Sequence, residues 1–185
     1  MAVYQIMIDR PGLDRTVSVG DLADPLRFFE IEHDYLADVL CSLSEIADDQ
    51  NCGDRRARAG AVADYFRLDF PLHIEDEAAT LELFERDGVP TICSDDIIGE
   101  LRDEHRALRR LLPPVADGLE EISIIGLPLA PSRFVIASLV LSEFLRLHVR
   151  RVRTQLMPLA AAALGARGLG DLARDMAFRR GMGPC

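Results

Sequence analysis

The sequence predicts an all-α protein: an up-down-up-down antiparallel four-helix bundle with an irregular N-terminal arm and a short C-terminal helix. Three observations carry this. Four long stretches repeat apolar residues at steps of three and four, the spacing that lines one face of a helix. The links between them are short enough to join antiparallel neighbours. The chain has 185 residues, 49% of them hydrophobic, which suffices for one domain with its own core.

Residues 1 to 23 read as the arm. Val3-Tyr4-Gln5-Ile6 and Thr16-Val17-Ser18-Val19 alternate briefly, so a small strand pair and a wrapping arm both remain open. The bundle domain is placed at residues 24 to 181. Asp24 suits the cap and Pro25 the first position of helix one, whose stripe is Leu26, Phe29, His33, Leu36, Leu40 and Leu43. Helix two runs from about Arg55 to Phe84 with Val62, Phe66, Phe70, His73, Glu77, Leu81 and Phe84 on one face, and Pro71 inside it predicts a kink or a division. Helix three begins near Ser94, with Asp95 and Asp96 at its positive end, and carries Ile98, Leu101, His105, Leu108 and Leu112. Pro113-Pro114 is expected to end it, leaving a partial turn and a linker up to 131. Helix four, capped by Ser132, has Ala137, Leu141, Phe144, His148, Val152 and Leu159, with a bend at Pro158. Gly165, Gly168 and Gly170 then set off a last helix at about Asp171 to Arg180.

Composition excludes several classes. A net charge of −10 disfavours nucleic acid, and no apolar run reaches the length of a membrane span. Met1 to Ile8 lacks the basic start and small-residue cleavage site of a secretory signal, so the expected location is cytoplasmic. Cys41, Cys52, Cys93 and Cys185 are far apart without any Cys-x-x-Cys, which removes the zinc-ribbon and thioredoxin readings. They read as reduced thiols, Cys41 packed in its helix and Cys185 on a loose tail.

The chain has four histidines, His33, His73, His105 and His148, one on each long helix. Each interrupts an apolar stripe. If a stripe spans about 100° of the helix, chance places all four there about one time in a hundred. Buried imidazoles need partners for their nitrogens, and a metal ion supplies one. Glu77 lies one turn after His73 on the same face, where a carboxylate can complete one ion or bridge two. Its neighbours Glu75 and Asp76 are expected to be solvated. Glu30, Glu104 and Glu143 stand near the heights at which a carboxylate could hold a ligand imidazole, with ordinary surface charge as the plainer reading.

These residues resemble a known pattern. His73-Ile-Glu-Asp-Glu77 is similar to the helix-two signature of the bacterial haemerythrin-like (HHE cation-binding) family. Glu32-His33, Glu104-His105, and His148 with Pro158 ten residues on are similar to its other three positions, and Met176-Ala-Phe-Arg-Arg-Gly181 to its closing segment. The likeness covers residues 24 to 181.

The resemblance implies a non-haem di-iron centre bridged by two carboxylates, the second from helix four, where this chain has Val152 and Arg153. It implies a further histidine in oxygen carriers where this chain has Leu101. The remaining metal ligands are His33, His73, Glu77, His105 and His148, which points to a weakened or mononuclear site holding one ion, or an incomplete di-iron site holding two, with other divalent metals admissible. Arg153 is expected to face outward with Arg150 and Arg151. The implied function is sensing or handling oxygen, nitric oxide or iron. The alternatives are a non-haem iron enzyme acting on oxygen or peroxide, for which no substrate pocket is legible, and a metal-free helical interaction module. The oligomeric state is open.

Overall fold

The computed structural model describes residues 17–48, 54–87 and 94–182. Among them every regular element is helical. In chain order these are α1 (Val19–Leu22), α2 (Pro25–Asp48), α3 (Arg55–Asp64), α4 (Phe70–Asp87), α5 (Ser94–Ile125), α6 (Pro131–Arg151), α7 (Met157–Ala163) and α8 (Gly165–Arg179). No helix among these residues is long and apolar enough to cross a membrane.

The helix starts follow local chemistry. The Asp24 carboxylate accepts from the Arg27 amide at 3.1 Å, closing the open end of α2 as expected. Residues 17 to 23 are more ordered than an irregular arm: the Ser18 hydroxyl accepts from the Asp21 amide and the Asp21 carboxylate from the Ser18 amide, which caps α1. Val17-Ser18-Val19 is therefore no strand, and the stretch before it lies outside the described residues. α6 begins at Pro131, one residue ahead of the expected Ser132 cap, because proline needs no amide partner in a first turn.

Prolines shape the long helices without dividing them. Tyr65–Asp69 joins α3 to α4 as a π-turn, and Val152–Leu156 joins α6 to α7 in the same way. Each π-turn ends two residues ahead of a proline, Pro71 and Pro158. Widening the turn to an i→i+5 bond, Phe70 amide to Tyr65 carbonyl and Met157 amide to Val152 carbonyl, accommodates a residue that lacks an amide and crowds the preceding turn. Pro113-Pro114, by contrast, does not end its helix. α5 continues through both to Ile125, and the residues whose carbonyls lose a donor there, Arg109 and Arg110, are exposed to water. The last helix likewise starts at Gly165 rather than near Asp171.

α5 lies against α3 and α6, α2 against α3 and α6, and α8 against α4, α1 and α2. The close approach of α5 to α6 requires Gly118: a Cβ there would sit 2.4 Å from the Phe134 ring. Among the described residues, buried apolar side chains form two separate clusters. One gathers residues such as Leu36, Leu40, Phe66, Phe70, Leu108 and Leu141. The other gathers Phe28, Phe29, Leu81, Leu101, Val152 and Leu172, among others. The histidine-bearing layer belongs to neither. Cys41 is exposed on α2 rather than packed, since it faces away from both clusters, and the other three cysteines lie outside the described residues.

Candidate metal centre

All five residues singled out in the sequence meet at one point. His33 comes from α2, His73 and Glu77 from α4, His105 from α5 and His148 from α6, and all are buried. Periodicity explains the convergence: each residue continues the apolar stripe that turns its helix inward.

Glu77 is the hub. Its Oε1 lies 3.4 Å from His33 Nε2 and 3.1 Å from His73 Nε2. Its Oε2 lies 2.9 Å from His105 Nε2 and 3.0 Å from His148 Nε2. One fully buried carboxylate thus divides four imidazoles into two pairs, one pair per oxygen. Within each group of two histidines and Glu77, the potential ligand atoms lie within 4.8 Å of one another. Buried groups of this composition and spread could hold a metal ion.

The two pairs differ in hydrogen bonding. His105 and His148 both bond Oε2. On the other side His33 Nε2 makes a long hydrogen bond to Oε1, while among the described residues neither nitrogen of His73 has a hydrogen bond, nor does His33 Nδ1, although all three atoms are buried. His73 Nε2 and Glu77 Oε1 are close but misaligned for a bond, as two donors aimed at a common third atom would be.

Carboxylates stand behind the ring nitrogens. His148 Nδ1 is 2.8 Å from Glu104 Oε2, and Glu104 Oε1 is 3.1 Å from Arg151 Nε. His73 Nδ1 is 4.0 Å from Glu32 Oε2. Glu104 therefore sits behind the His148 imidazole rather than as plain surface charge, whereas Glu30 and Glu143 are exposed. Glu32 was legible only as the neighbour of His33. Arg153 points outward to Asp34 and to the Glu30 carbonyl, as expected. Arg151 is part-exposed and spans Glu104 and the exposed Glu100.

Protonation follows from this crowding. Burial would raise the Glu77 carboxyl, but His148 and His73 nearby and the bonds from His105 and His148 outweigh it, and its pKa falls well below the ordinary carboxylate value. Burial would lower His148, yet Glu77 and Glu104 override it and push that imidazole up to about 9. His73 is raised against its own burial, chiefly by Glu77. His33 goes the other way: burial dominates and lowers it, which favours the neutral, ligand-ready ring.

Asp76 corrects the sequence reading. It is fully buried rather than solvated, 2.7 Å from Arg179 Nη2 and 2.6 Å from Arg180 Nη2 at the end of α8. Arg180 also lies over the Phe28 ring, 4.9 Å from its centroid. Val152 and Leu101 are buried in the second apolar cluster, so the positions where the resemblance implies further polar ligands are part of the hydrophobic packing.

Comparison with known proteins finds no protein-family model, no curated protein and no solved structure that matches the chain.

Proposed function

We propose that this chain is a haemerythrin-like metal-binding protein, an up-down-up-down bundle of α2, α3–α4, α5 and α6–α7, whose site takes two ions that share Glu77. The observation that supports this most is the pairing of imidazoles across one carboxylate: His33 and His73 face Oε1, His105 and His148 face Oε2. A single ion would leave one pair unused. The arrangement therefore favours the incomplete di-iron reading over the mononuclear one that the missing helix-four carboxylate suggests.

The donor set fits a metal. Of the four Nε2 atoms that face Glu77, that of His73 is buried without a hydrogen bond among the described residues, and imidazole with carboxylate suits iron, with zinc, copper and nickel as other candidates. Bound iron would supply a redox-active, Lewis-acidic centre suited to sensing or handling oxygen or nitric oxide. The protein's own part is to present four Nε2 atoms, to fix the His148 ring through Glu104, and to exclude water with the apolar clusters on both sides. With only three donors per ion, exchangeable ligands would complete each coordination shell.

The test is metal analysis of the purified chain, grown with iron available, together with its optical spectrum. About two ions per chain are expected from this pairing, with clear loss in His73→Ala. Retention that ignores the His73 substitution would defeat the proposal, and a chain that stays metal-free after reconstitution would leave the metal-free interaction module.

A further inference from the structure

The outward face of α6 carries a pattern that the metal site does not use. Arg133, Ile136, Val140, Glu143 and Leu147 follow on α6 at steps of three, four, three and four, the a/d spacing of a coiled-coil seam, and Leu129 lies in the turn just ahead of it. All six are exposed, while Ser138, Leu141, Leu145 and His148 on the opposite side of the same helix are buried. Ile136 is 62% exposed, Leu147 51% and Leu129, two residues ahead of the helix, 73%. The bundle is already packed on its inner side, so this outer stripe is free to pack elsewhere.

The charges on the seam say against what. In an antiparallel pair of identical helices, a positions meet d positions of the partner about a two-fold axis. An axis midway between Ile136 and Val140 sets Ile136 opposite Val140 and Arg133 opposite Glu143, each twice, and brings Leu147 towards the partner's turn at Leu129. Every layer is then matched, apolar on apolar or cation on anion. Sliding the axis half a heptad sets Arg133 against Arg150 and Val140 against Glu143. A parallel pairing sets Arg133 on Arg133 and Glu143 on Glu143. Both alternatives juxtapose like charges, and sliding the axis the other way sets Arg133 against Ile136, so the matched register is the one that charge and burial favour. Among the described residues Glu143 pairs with Arg146, at 3.8 Å on an exposed surface, a contact of little strength.

We propose that α6 is a self-association surface: two copies of this chain pair antiparallel through Leu129, Arg133, Ile136, Val140, Glu143 and Leu147. The histidine of α6, His148, lies on the opposite face, so pairing leaves the candidate metal site intact and does not depend on it.

Sedimentation equilibrium on the full chain at micromolar concentration tests this, with circular dichroism to verify folding. Wild type is expected at twice the chain mass. Arg133→Glu and Glu143→Arg, each placing like charges in two layers, are expected to be monomers. Mixing these two monomeric variants is expected to give a heterodimer, and Arg133→Glu/Glu143→Arg a homodimer, because each restores opposite charges in both layers. A monomeric wild type overturns the proposal, leaving the face for another partner. So does a dimer that both single substitutions leave unchanged, or a failure of the mixed variants to associate.

Discussion

Asp76 and Glu77 are adjacent on α4, and neither side chain is accessible to solvent. Their surroundings could hardly differ more. Asp76 is neutralised by Arg179 and Arg180, cations that keep their charge at any physiological pH, so its environment is fixed and it ties α8 to α4. Glu77 is surrounded by four imidazoles, each of which can be neutral, protonated or bound to a metal. A carboxylate among arginines is a structural pin. One among histidines is a place where ions and protons can exchange.

The sharpest way to break this contrast is to remove each carboxylate in turn. Glu77→Gln keeps the shape but turns one acceptor oxygen into an amide donor and takes away the shared charge, and metal content is expected to fall from full occupancy to near zero. Asp76→Ala is expected to do the reverse. Leaving two arginines without their anion at a largely buried site should cost about 3 kcal/mol in urea unfolding, discounted from the range for buried pairs because Arg179 is partly exposed. Metal per folded chain should stay unchanged. If Asp76→Ala emptied the site as completely as Glu77→Gln, the division between pin and exchange site would be wrong.

The contrast also explains what the sequence made legible. The four histidines and Glu77 could be placed because each sits on its own helix's apolar stripe, and a stripe is a local, periodic signal. Asp76 could not. Glu75, Asp76 and Glu77 are three consecutive acids spread around one helix, and only the docking of α8 decides that Asp76 goes inside. Pro113-Pro114 misled for a related reason: proline breaks a helix through its own crowding and a lost hydrogen bond, and here the affected carbonyls belong to exposed residues where water can replace the donor. The early start of α8 among glycines likewise depends on tertiary packing against α4 and α1 rather than on propensity. The division of the imidazoles into pairs lay beyond any one-dimensional pattern.

A second prediction sharpens the exchange side through pH. In the metal-free chain His148 titrates at about 9, above its ordinary value. A raised histidine stabilises the fold fully below its unfolded pKa, about 6.5, and that contribution is lost as pH rises through about 9. Glu77 acts with opposite sign: its lowered pKa stabilises the fold above the ordinary carboxylate range and fails only as pH falls well below it. The chelated chain should therefore lose up to a few kcal/mol between neutrality and pH 9. Metal needs deprotonated imidazole, so the loaded chain should gain ion affinity over the same interval. Thermal melts with and without chelator should diverge as pH rises, and parallel curves would mean that protons and ions do not compete at Glu77.

The smallest expected effect comes from a residue that touches no ion in the proposed site. Glu104 holds His148 Nδ1 at 2.8 Å and is itself held by Arg151 at 3.1 Å. By accepting from Nδ1–H it keeps that proton on the far side of the ring and leaves Nε2 directed at the Glu77 side. Glu104→Gln can accept the same bond without the charge, so the ring should stay in place while its basicity falls. Metal affinity should drop about tenfold, at the lower end of what such supporting carboxylates contribute. Glu104→Leu removes the acceptor as well and should cost more. A metal-binding titration that ranks wild type, Glu104→Gln and Glu104→Leu in that order supports a positioning role, because burial alone would favour the leucine. The reverse order would mean that Glu104 merely shields the ring from water, and that Arg151 neutralises Glu104 rather than orienting it.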